Sequence, residues 1–584
     1  MLQKGGAFLL EQSNPADIFT PEDLTEEHRL IAQTVADFVE KEVLPLDADL
    51  EAQKEGLMRA LLEKAGELGL LSADIPEEYG GSDLGKIASM LITENVSTGG
   101  AFALGHGDHT GIGSLPIVLF GNEDQKKRYL PGLASGKLIG AYALTEPGAG
   151  SDALAARTRA TLSPDGKFYL LNGEKIFITN AGFADIFTTY AKIDGEKFTA
   201  FIVERNTPGF SLGAEEKKMG IKGSSTRSLI FENAPVPVEN VLGEIGRGHV
   251  IAFNILNIGR LKLGAGCVGS ARRAINLALQ YALQRQQFNT PVARFGLIQH
   301  KFAQMAARAY AAESSVYRLA GIIEEALLAK RAGREIAAAI SEYAIECSIC
   351  KVLGSEVLDY IVDEMVQIYG GYGYIQEYPA ERFYRDARIN RIFEGTNEIN
   401  RLIIPATLVR KALKGQLPLI GAAQALAKEI LDLRAALPED DGKPLAAERD
   451  LLARAKKLFL LIGGQAVEKY GDKLAHQQEI IGILADLTIQ IYAMESAVLR
   501  ALKAWEAGPE TAAAKLDLAR GYLYDHFPLL EKITRESLAF LFEGDLLSTQ
   551  LAVAKRLCKH QPVDLIRLRR QITGRMLEAE KYVV

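Results

Sequence analysis

Cysteine is scarce in this chain, with four in 584 residues: Cys267, Cys347, Cys350 and Cys558. They are too few and too scattered for a disulfide framework, which favours a reducing compartment. Cys347 and Cys350 form a C-x-x-C pair within a stretch, Glu335 to Leu353, that reads as helix. No second Cys/His pair follows, so the pair reads as two thiols on one helix face, with a metal or redox site as the alternative and no metal expected. Basic excess is also missing. The net charge is −7, with charged residues at 24%, which removes any overall pull towards nucleic acid and leaves polyanion contacts to local patches. No apolar run reads as long enough to span a membrane. At the N-terminus, Ala7-Phe-Leu-Leu10 is shorter than a signal h-region, and acids and prolines follow it. The expectation is a cytoplasmic protein without a transmembrane segment.

What is present is length and apolar content. With 48% hydrophobic residues, 584 residues allow large cores and roughly four domain-sized units. Thr20-Pro-Glu-Asp23 is a helix-start signal, and helical patterns follow over Leu30 to Val43, Leu57 to Leu68 and Gly121 to Tyr129. From Ile139 the character turns to strands. Asn172-Gly173, between Phe168 to Leu171 and Lys175 to Thr179, reads as a hairpin turn, and further strands are expected over Phe187 to Lys192, Phe198 to Glu204 and Ser228 to Phe231. Long helices return after Val241-Leu-Gly-Glu-Ile-Gly and run to about Leu413. Past a junction at Gly415 to Pro418, amphipathic stretches lie around Leu451 to Ile462, Glu479 to Trp505 and Thr511 to Phe542, with a loop at Leu437 to Pro444. The clustered Arg567, Arg569, Arg570 and Arg575 read as a solvated helix face, against a membrane-surface or nucleic-acid patch. The fold class is mainly α with a central β domain, divided as 1–138, 139–241, 242–414 and 415–584.

The chemistry concentrates in Arg391-Ile-Phe-Glu-Gly-Thr-Asn-Glu-Ile-Asn-Arg401. Apolar Ile392 and Phe393 disfavour the charged form of Glu394, and Gly395 lets a carbonyl approach the backbone. Thr396 or Asn397 can cap a helix with Ile399, Leu402 and Ile403 on one face, so backbone N–H groups point at whatever Glu394 attacks. That suits proton abstraction beside a carbonyl. Alone, the segment also reads as a Glu-Gly turn before a capped helix. Tyr142-Ala-Leu-Thr-Glu-Pro-Gly-Ala-Gly-Ser-Asp152 is a strand ending in a glycine-rich loop that could meet a flat ring or a phosphate, or be a tight turn. Alternation puts Phe177 and Thr179 on one face and Ile176 and Ile178 on the other, so an aromatic and a hydroxyl could wall a planar cofactor.

These segments resemble the acyl-CoA dehydrogenase family. YALTEPGAGSD (Tyr142 to Asp152) and QIYGGYGYIQEYPAERFYRDARI (Gln367 to Ile389) resemble its two signatures, KIFITNAGFADIF (Lys175 to Phe187) its flavin-wall strand, and IFEGTNEI (Ile392 to Ile399) its catalytic loop. The match covers about Leu24 to Leu413. The resemblance implies an N-terminal helical domain, a middle β domain and a C-terminal four-helix bundle, with FAD as cofactor, an acyl-CoA substrate and electron-transfer flavoprotein as acceptor in fatty-acid β-oxidation. It implies that Glu394 takes the α-proton, the β-hydrogen leaves to flavin, and a backbone N–H with a ribityl hydroxyl holds the thioester oxygen. It places Tyr142, Leu144, Thr145, Gly150, Ser151, Phe177, Ile178 and Thr179 at the flavin, with Thr396 and Glu398 closing the same site. Ser151, Asn257, Arg260 and Gly395 would meet the substrate. Arg285, Gln287, Phe288, Gln367, Gly370 and Gly371 would bind FAD of a neighbouring subunit, so a homodimer is the smallest complete enzyme.

Three departures matter. Phe177 stands where Trp is frequent in the family. Arg285-Gln-Gln-Phe-Asn289 replaces an R-x-x-F-G segment, and Gly259 stands where some relatives place the base. Gly264-Ala-Gly-Cys-Val-Gly269 fits G-x-G-x-x-G but follows a helical pattern, so close helix packing is the better reading than dinucleotide binding. The residues beyond Gly415 resemble the extension of the very-long-chain class, in which a dimer replaces the tetramer, and Gly105, Gly107, Gly111 and Gly113 would leave room for a long acyl chain. The alternatives are an acyl-CoA oxidase, a DNA-binding relative and a non-catalytic assembly factor on the same fold.

Overall fold

The protein is described here by a computed structural model that covers residues 3–328, 333–429 and 441–584. Of the loop expected at Leu437 to Pro444, Leu437 to Asp440 lie outside the described residues.

Seven α-helices precede the sheet: α1 (Glu26–Phe38), α2 (Asp47–Glu51), α3 (Leu57–Glu67), α4 (Gly85–Val96), α5 (Ala101–Gly107), α6 (Leu115–Phe120) and α7 (Glu123–Ala134). Thr20 does not start an α-helix, because Pro21–Asp23 closes as one 3₁₀ turn. α1 instead begins after Thr25, whose Oγ1 accepts from His28 N at 3.2 Å. α5 runs on into a π-helical turn, Asp108–Gly113.

The sheet contains β1 (Gly140–Ala143), β2 (Arg159–Leu162), β3 (Phe168–Thr179), β4 (Ile186–Ile193), β5 (Lys197–Glu204), β6 (Phe210–Glu215), β7 (Thr226–Pro237) and β8 (Val241–Leu242). Its order is β6-β7-β3-β2-β4-β5-β8, with β1 parallel to β4. The expected hairpin at Asn172-Gly173 is not formed. β3 runs straight through it beside β7, with a register shift between Leu171 and Gly173. Gly173 has φ 146, and a Cβ there would lie 2.8 Å from Thr158 Cα, so the dipeptide serves a bulge in one long strand. The tight turn falls earlier, at Ser163 to Phe168, where Gly166 N donates to Ser163 O.

α8 (Gly248–Gln284) leads into a short hairpin of β9 (Gln286–Gln287) and β10 (Thr290–Pro291). α9 (Gly296–Leu327), α10 (Gly333–Glu342), α11 (Ala344–Tyr369), α12 (Pro379–Ala387) and α13 (Asn397–Leu413) follow. The helix expected over Glu335 to Leu353 is broken at Tyr343, between α10 and α11. α8 lies along α11, and Gly264 with Gly354 sets their approach: a Cβ on Gly264 would sit 3.0 Å from Cys350 O. The G-x-G-x-x-G segment is therefore helix packing. All four cysteines are buried free thiols.

The extension contains α14 (Leu419–Glu429), α15 (Ala446–Tyr470), α16 (Gln478–Ala507), α17 (Ala513–Leu541), α18 (Gly544–Cys558) and α19 (Leu565–Ala579). α16, α17 and α19 pack on α9, and α16 also packs on α13. By length and composition α16 could cross a membrane, contrary to the reading above, but 78% of its apolar window is buried in the protein. Of the arginine cluster on α19, Arg569 pairs with Asp525 and Arg575 with Asp517, while Leu568, Ile572 and Met576 turn inward. A strap at residues 5–10 is tucked under the extension: Phe8 meets Tyr492 edge-on at 4.8 Å, Gly6 N donates to Glu346, and Lys411 Nζ donates to Gly5 O.

Candidate active site

Glu394 sits in the loop that enters α13, with φ 57, and Gly395 follows at φ 80. Two successive left-handed residues fold the chain back sharply, a conformation a glutamate adopts only when its surroundings fix it. Those surroundings are three side chains. Arg260 Nε donates to Glu394 O at 3.2 Å, Lys351 Nζ to Gly395 O at 2.8 Å, and Asn400 Nδ2 to the carbonyls of residues 394, 395 and 396. Thr396 is the N-cap, its Oγ1 accepting from Ile399 N at 3.3 Å. Asn397 is instead the first helical residue, and it bonds Ser355 and Glu356 of α11. The deeply buried face of α13 carries Asn400, Ile404, Thr407 and Leu408, while the expected stripe of Ile399, Leu402 and Ile403 is half-buried.

The carboxyl of Glu394 lies against α8 at its glycine. A Cβ on Gly259 would stand 2.9 Å from Glu394 Cδ, so the loop position and the helix position converge on one point. Burial pushes the Glu394 carboxyl up to about 7, opposed by the positive charges of Arg260 and Lys351. Its Oε2 is buried without a hydrogen-bond partner. Desolvation comes from the bundle more than from Ile392, which is 47% exposed. Asp108 of the π-turn is a second buried carboxyl with an unpartnered oxygen, and burial together with the charge of Glu394 holds it well above the carboxylate range. Tyr142 packs edge-on against Tyr190 at 5.3 Å, and its hydroxyl is also unpartnered. A buried carboxylate with proton affinity near neutrality and an open coordination shell is equipped to act as a base.

A second cluster forms where β1 ends. Glu146 and Ala149 exchange backbone hydrogen bonds at 3.1 Å, so Pro147-Gly148 is a tight turn, and a Cβ on Gly148 or Gly150 would meet nothing within 4 Å. Ile176 N donates to Thr145 O, and the buried Lys175 bonds Leu144 O and Glu146, which ties the loop to β3. β3 bulges between Lys175 and Ile178, and Phe177 takes φ 59. The bulge breaks the expected alternation. Phe177 is turned out at 62% exposure beside half-buried Thr179, while Lys175 and Ile178 both face the core. Ile178 is thus a core side chain, as is Leu144. Gly150 and Ser151 stand exposed on the loop.

The third cluster is a cavity of about 470 Å³ whose lining includes Arg285, Gln287, Gly370 and Gly371, with Arg285 over the Tyr372 ring. Phe288 and Asn289 turn the β9–β10 hairpin with φ 52 and 56, a tight turn in which asparagine substitutes readily for glycine. Phe288, 89% exposed, and exposed Gln367 are not part of that lining. Glu398 is exposed at the start of α13.

Asn257 and Arg260 were expected to meet the substrate. Each is 5% exposed, and Arg260 bonds Asn257 and Glu394 O, because positions 257 and 260 share the bundle-facing side of α8; they hold the loop from beneath. The glycines near the site divide as well: Gly113 packs on β1, Gly105 on Met58, and Gly107 has open space. Sequence reasoning missed Lys351, Asn400 and Asp108. The available signal for Lys351 was a lone cation in the apolar run Ile349-Cys350-Lys351-Val352-Leu353.

Four family models match: "Acyl-CoA dehydrogenase, N-terminal domain" over residues 25–137, "middle domain" over 141–234, and two described as "C-terminal domain" over 246–409 and 454–556. The chain is 55% identical over 590 residues to a probable acyl-CoA dehydrogenase of Bacillus subtilis, covering 100% of this chain and 99% of that one. It is 36% identical to the human mitochondrial very long-chain specific acyl-CoA dehydrogenase, across 87% of this chain and 79% of the relative. The crystal structure of an acyl-CoA dehydrogenase complexed with FAD from Bacillus anthracis superposes with a TM-score of 0.98 at 54% identity, covering 100% of both chains. With these matches over the fold and site described, the chain belongs to the acyl-CoA dehydrogenase family.

Proposed function

We propose that this protein catalyses α,β-dehydrogenation of a long-chain acyl-CoA thioester to the trans-2-enoyl-CoA in fatty-acid β-oxidation, with FAD as cofactor. The buried, unpartnered Oε2 of Glu394, opposite a glycine on α8, carries this reading. An Oε2 with no hydrogen-bond partner is available to take the proton α to a thioester carbonyl. Among the described residues no oxygen accepts the Glu394 backbone N–H, while the carbonyls of Glu394 and Gly395 accept from Arg260 and Lys351. That N–H is the donor proposed for the thioester oxygen, which acidifies the α-carbon.

The residues present fit FAD. Phe177, turned out on its bulge beside Thr179 and the open glycines 148 and 150, offers a flat apolar wall next to bare backbone amides. Bound there, FAD supplies the two-electron acceptor for the reaction. Arg285, Gln287 and the bare Gly370-Gly371 backbone suit a pyrophosphate, and we assign them to FAD of a neighbouring copy, making the homodimer the functional unit. The division at 138/139, 241/242 and 414/415, the cytoplasmic location and electron-transfer flavoprotein as acceptor belong to the same reading. Relatives of very-long-chain specificity and the open space at Gly107 support a long acyl chain.

An anaerobic series of acyl-CoA lengths, with enoyl-CoA formation followed in the presence of electron-transfer flavoprotein, tests it. Turnover that rises towards long chains is the expected result. Turnover with oxygen alone at the same rate would make the protein an oxidase.

A further inference from the structure

Lys351 is completely buried in the middle of α11, and nothing in the signature segments points to it. Its ammonium donates to Gly395 O at 2.8 Å and to Asn397 Oδ1 at 2.6 Å, both uncharged acceptors. A buried cation normally has a carboxylate bonded to it. Among the described residues this one has none in hydrogen-bonding contact, and Glu394, whose Oε2 also lacks a partner, is in electrostatic reach. Burial lowers the Lys351 ammonium to about 8. The groups acting on it come from each surrounding element: Glu394 of the loop and Glu398 of α13 favour its charged form, as does Cys267 of α8, while Arg260 of α8 opposes it.

We propose that Lys351 is a positioning residue for proton abstraction: it anchors the Glu394–Gly395 turn through Gly395 O and supplies a positive charge that keeps Glu394 ionised. This rests on the reading of Glu394 as the base. The two contributions separate by substitution. The anchor needs a donor at Nζ, whereas the electrostatic part needs only the charge. Lys351→Gln retains a donor without charge, Lys351→Met retains neither, and Lys351→Arg retains both on a bulkier head.

The sign is fixed by the chemistry. A cation beside a carboxyl favours the carboxylate, so removing it raises the proton affinity of Glu394, and the acid limb of the rate profile moves to higher pH. The experiment is anaerobic single-turnover flavin reduction by acyl-CoA across pH, on FAD-loaded full-length variants, with acyl-CoA binding measured on the same preparations. In Lys351→Met and Lys351→Gln the acid limb should rise by roughly one pH unit, and in Lys351→Arg it should stay in place. The plateau rate should fall by up to about 10²-fold in Lys351→Met, the scale of a small misplacement of the base, and less in Lys351→Gln, with binding of acyl-CoA little changed. If Lys351→Met does not fold, Lys351→Gln carries the charge test. Flavin-loaded neutral variants with the wild-type acid limb overturn the proposal. Glu394→Gln run in parallel separates the two readings: if it still reduces flavin, the base assignment has failed, and if it does not while the limb is unmoved in the Lys351 variants, only the role of Lys351 has failed.

Discussion

The Glu394 loop and the junction between α9 and α16 both bury charge, and they treat it in opposite ways. At the junction, Arg500 is 3% exposed and engages Glu22 through Nε and Nη2 and Glu313 through Nη1, while its guanidinium lies 4.7 Å from the Tyr310 ring. In the loop, the carboxyl of Glu394 faces cations with no hydrogen bond to Oε2, on a left-handed backbone. A buried ion that is fully paired is committed to structure, whereas one left open keeps its proton exchangeable. In these two places full pairing goes with structure, and the open shell goes with the chemistry proposed for Glu394.

The largest effect that tests this contrast is on the open side. Glu394→Gln should keep FAD and acyl-CoA binding but lose flavin reduction by more than the ~10²–10⁴-fold usual for a general base, since burial holds the neighbouring Asp108 carboxyl towards its neutral form. Stopped-flow bleaching of the flavin band decides it, and rapid bleaching would remove Glu394 from its role. In the wild type the same rate should fall as pH drops through about 7, because the base must be deprotonated and burial has raised its proton affinity.

On the paired side, Arg500→Met should remove the 2.6 Å partner of buried Glu313, leaving it only Arg272 at 3.4 Å, and destabilise the fold by about 3 kcal/mol, with flavin chemistry in the surviving folded protein unaltered. Chemical denaturation and single-turnover reduction on one preparation measure both. A normal melting profile would show that the junction does not depend on this pairing.

Arg285→Ala should weaken FAD retention by about 10–100-fold, the scale of one charge-assisted contact, and loosen the dimer with it. Flavin content after gel filtration and the mass of the eluted species read both at once. Full flavin and an unchanged mass would place the cofactor elsewhere. The smallest effect belongs to Asp108→Asn. Because burial raises this carboxyl well above the carboxylate range and so favours its neutral form, the amide should move the acid limb by less than about half a pH unit, in contrast to the Lys351 variants. A full-unit displacement would mean that Asp108 carries charge during turnover.

Much of this was legible in the sequence where one segment carries its own signal. The strand-then-helix order, the capped loop at Glu394 and the long helices α15 to α17 follow from local pattern. The bulges in β3 were not legible, since Asn172-Gly173 reads as a turn until β7 is known to run beside it. Strand β6 and helix α18 were not singled out either, because their apolar residues are interrupted and they gain their burial from neighbours. Asp108 was invisible for a related reason, and Lys351 showed only as a lone cation in an apolar run. Their importance lies in what faces them across the bundle, and position in the chain carries no record of that.

The strap at residues 5–10 bears on how the molecule comes into being. Phe8 rests on Tyr492, and Arg318 reaches both Ser13 of this arm and Ser496 of α16, partners separated by more of the chain than any local search can bridge. Contacts of such sequence separation form late. During synthesis the arm is made well before α16 and must remain without its seat until that helix exists, and for that interval the surface of α9 on which α16 packs is uncovered.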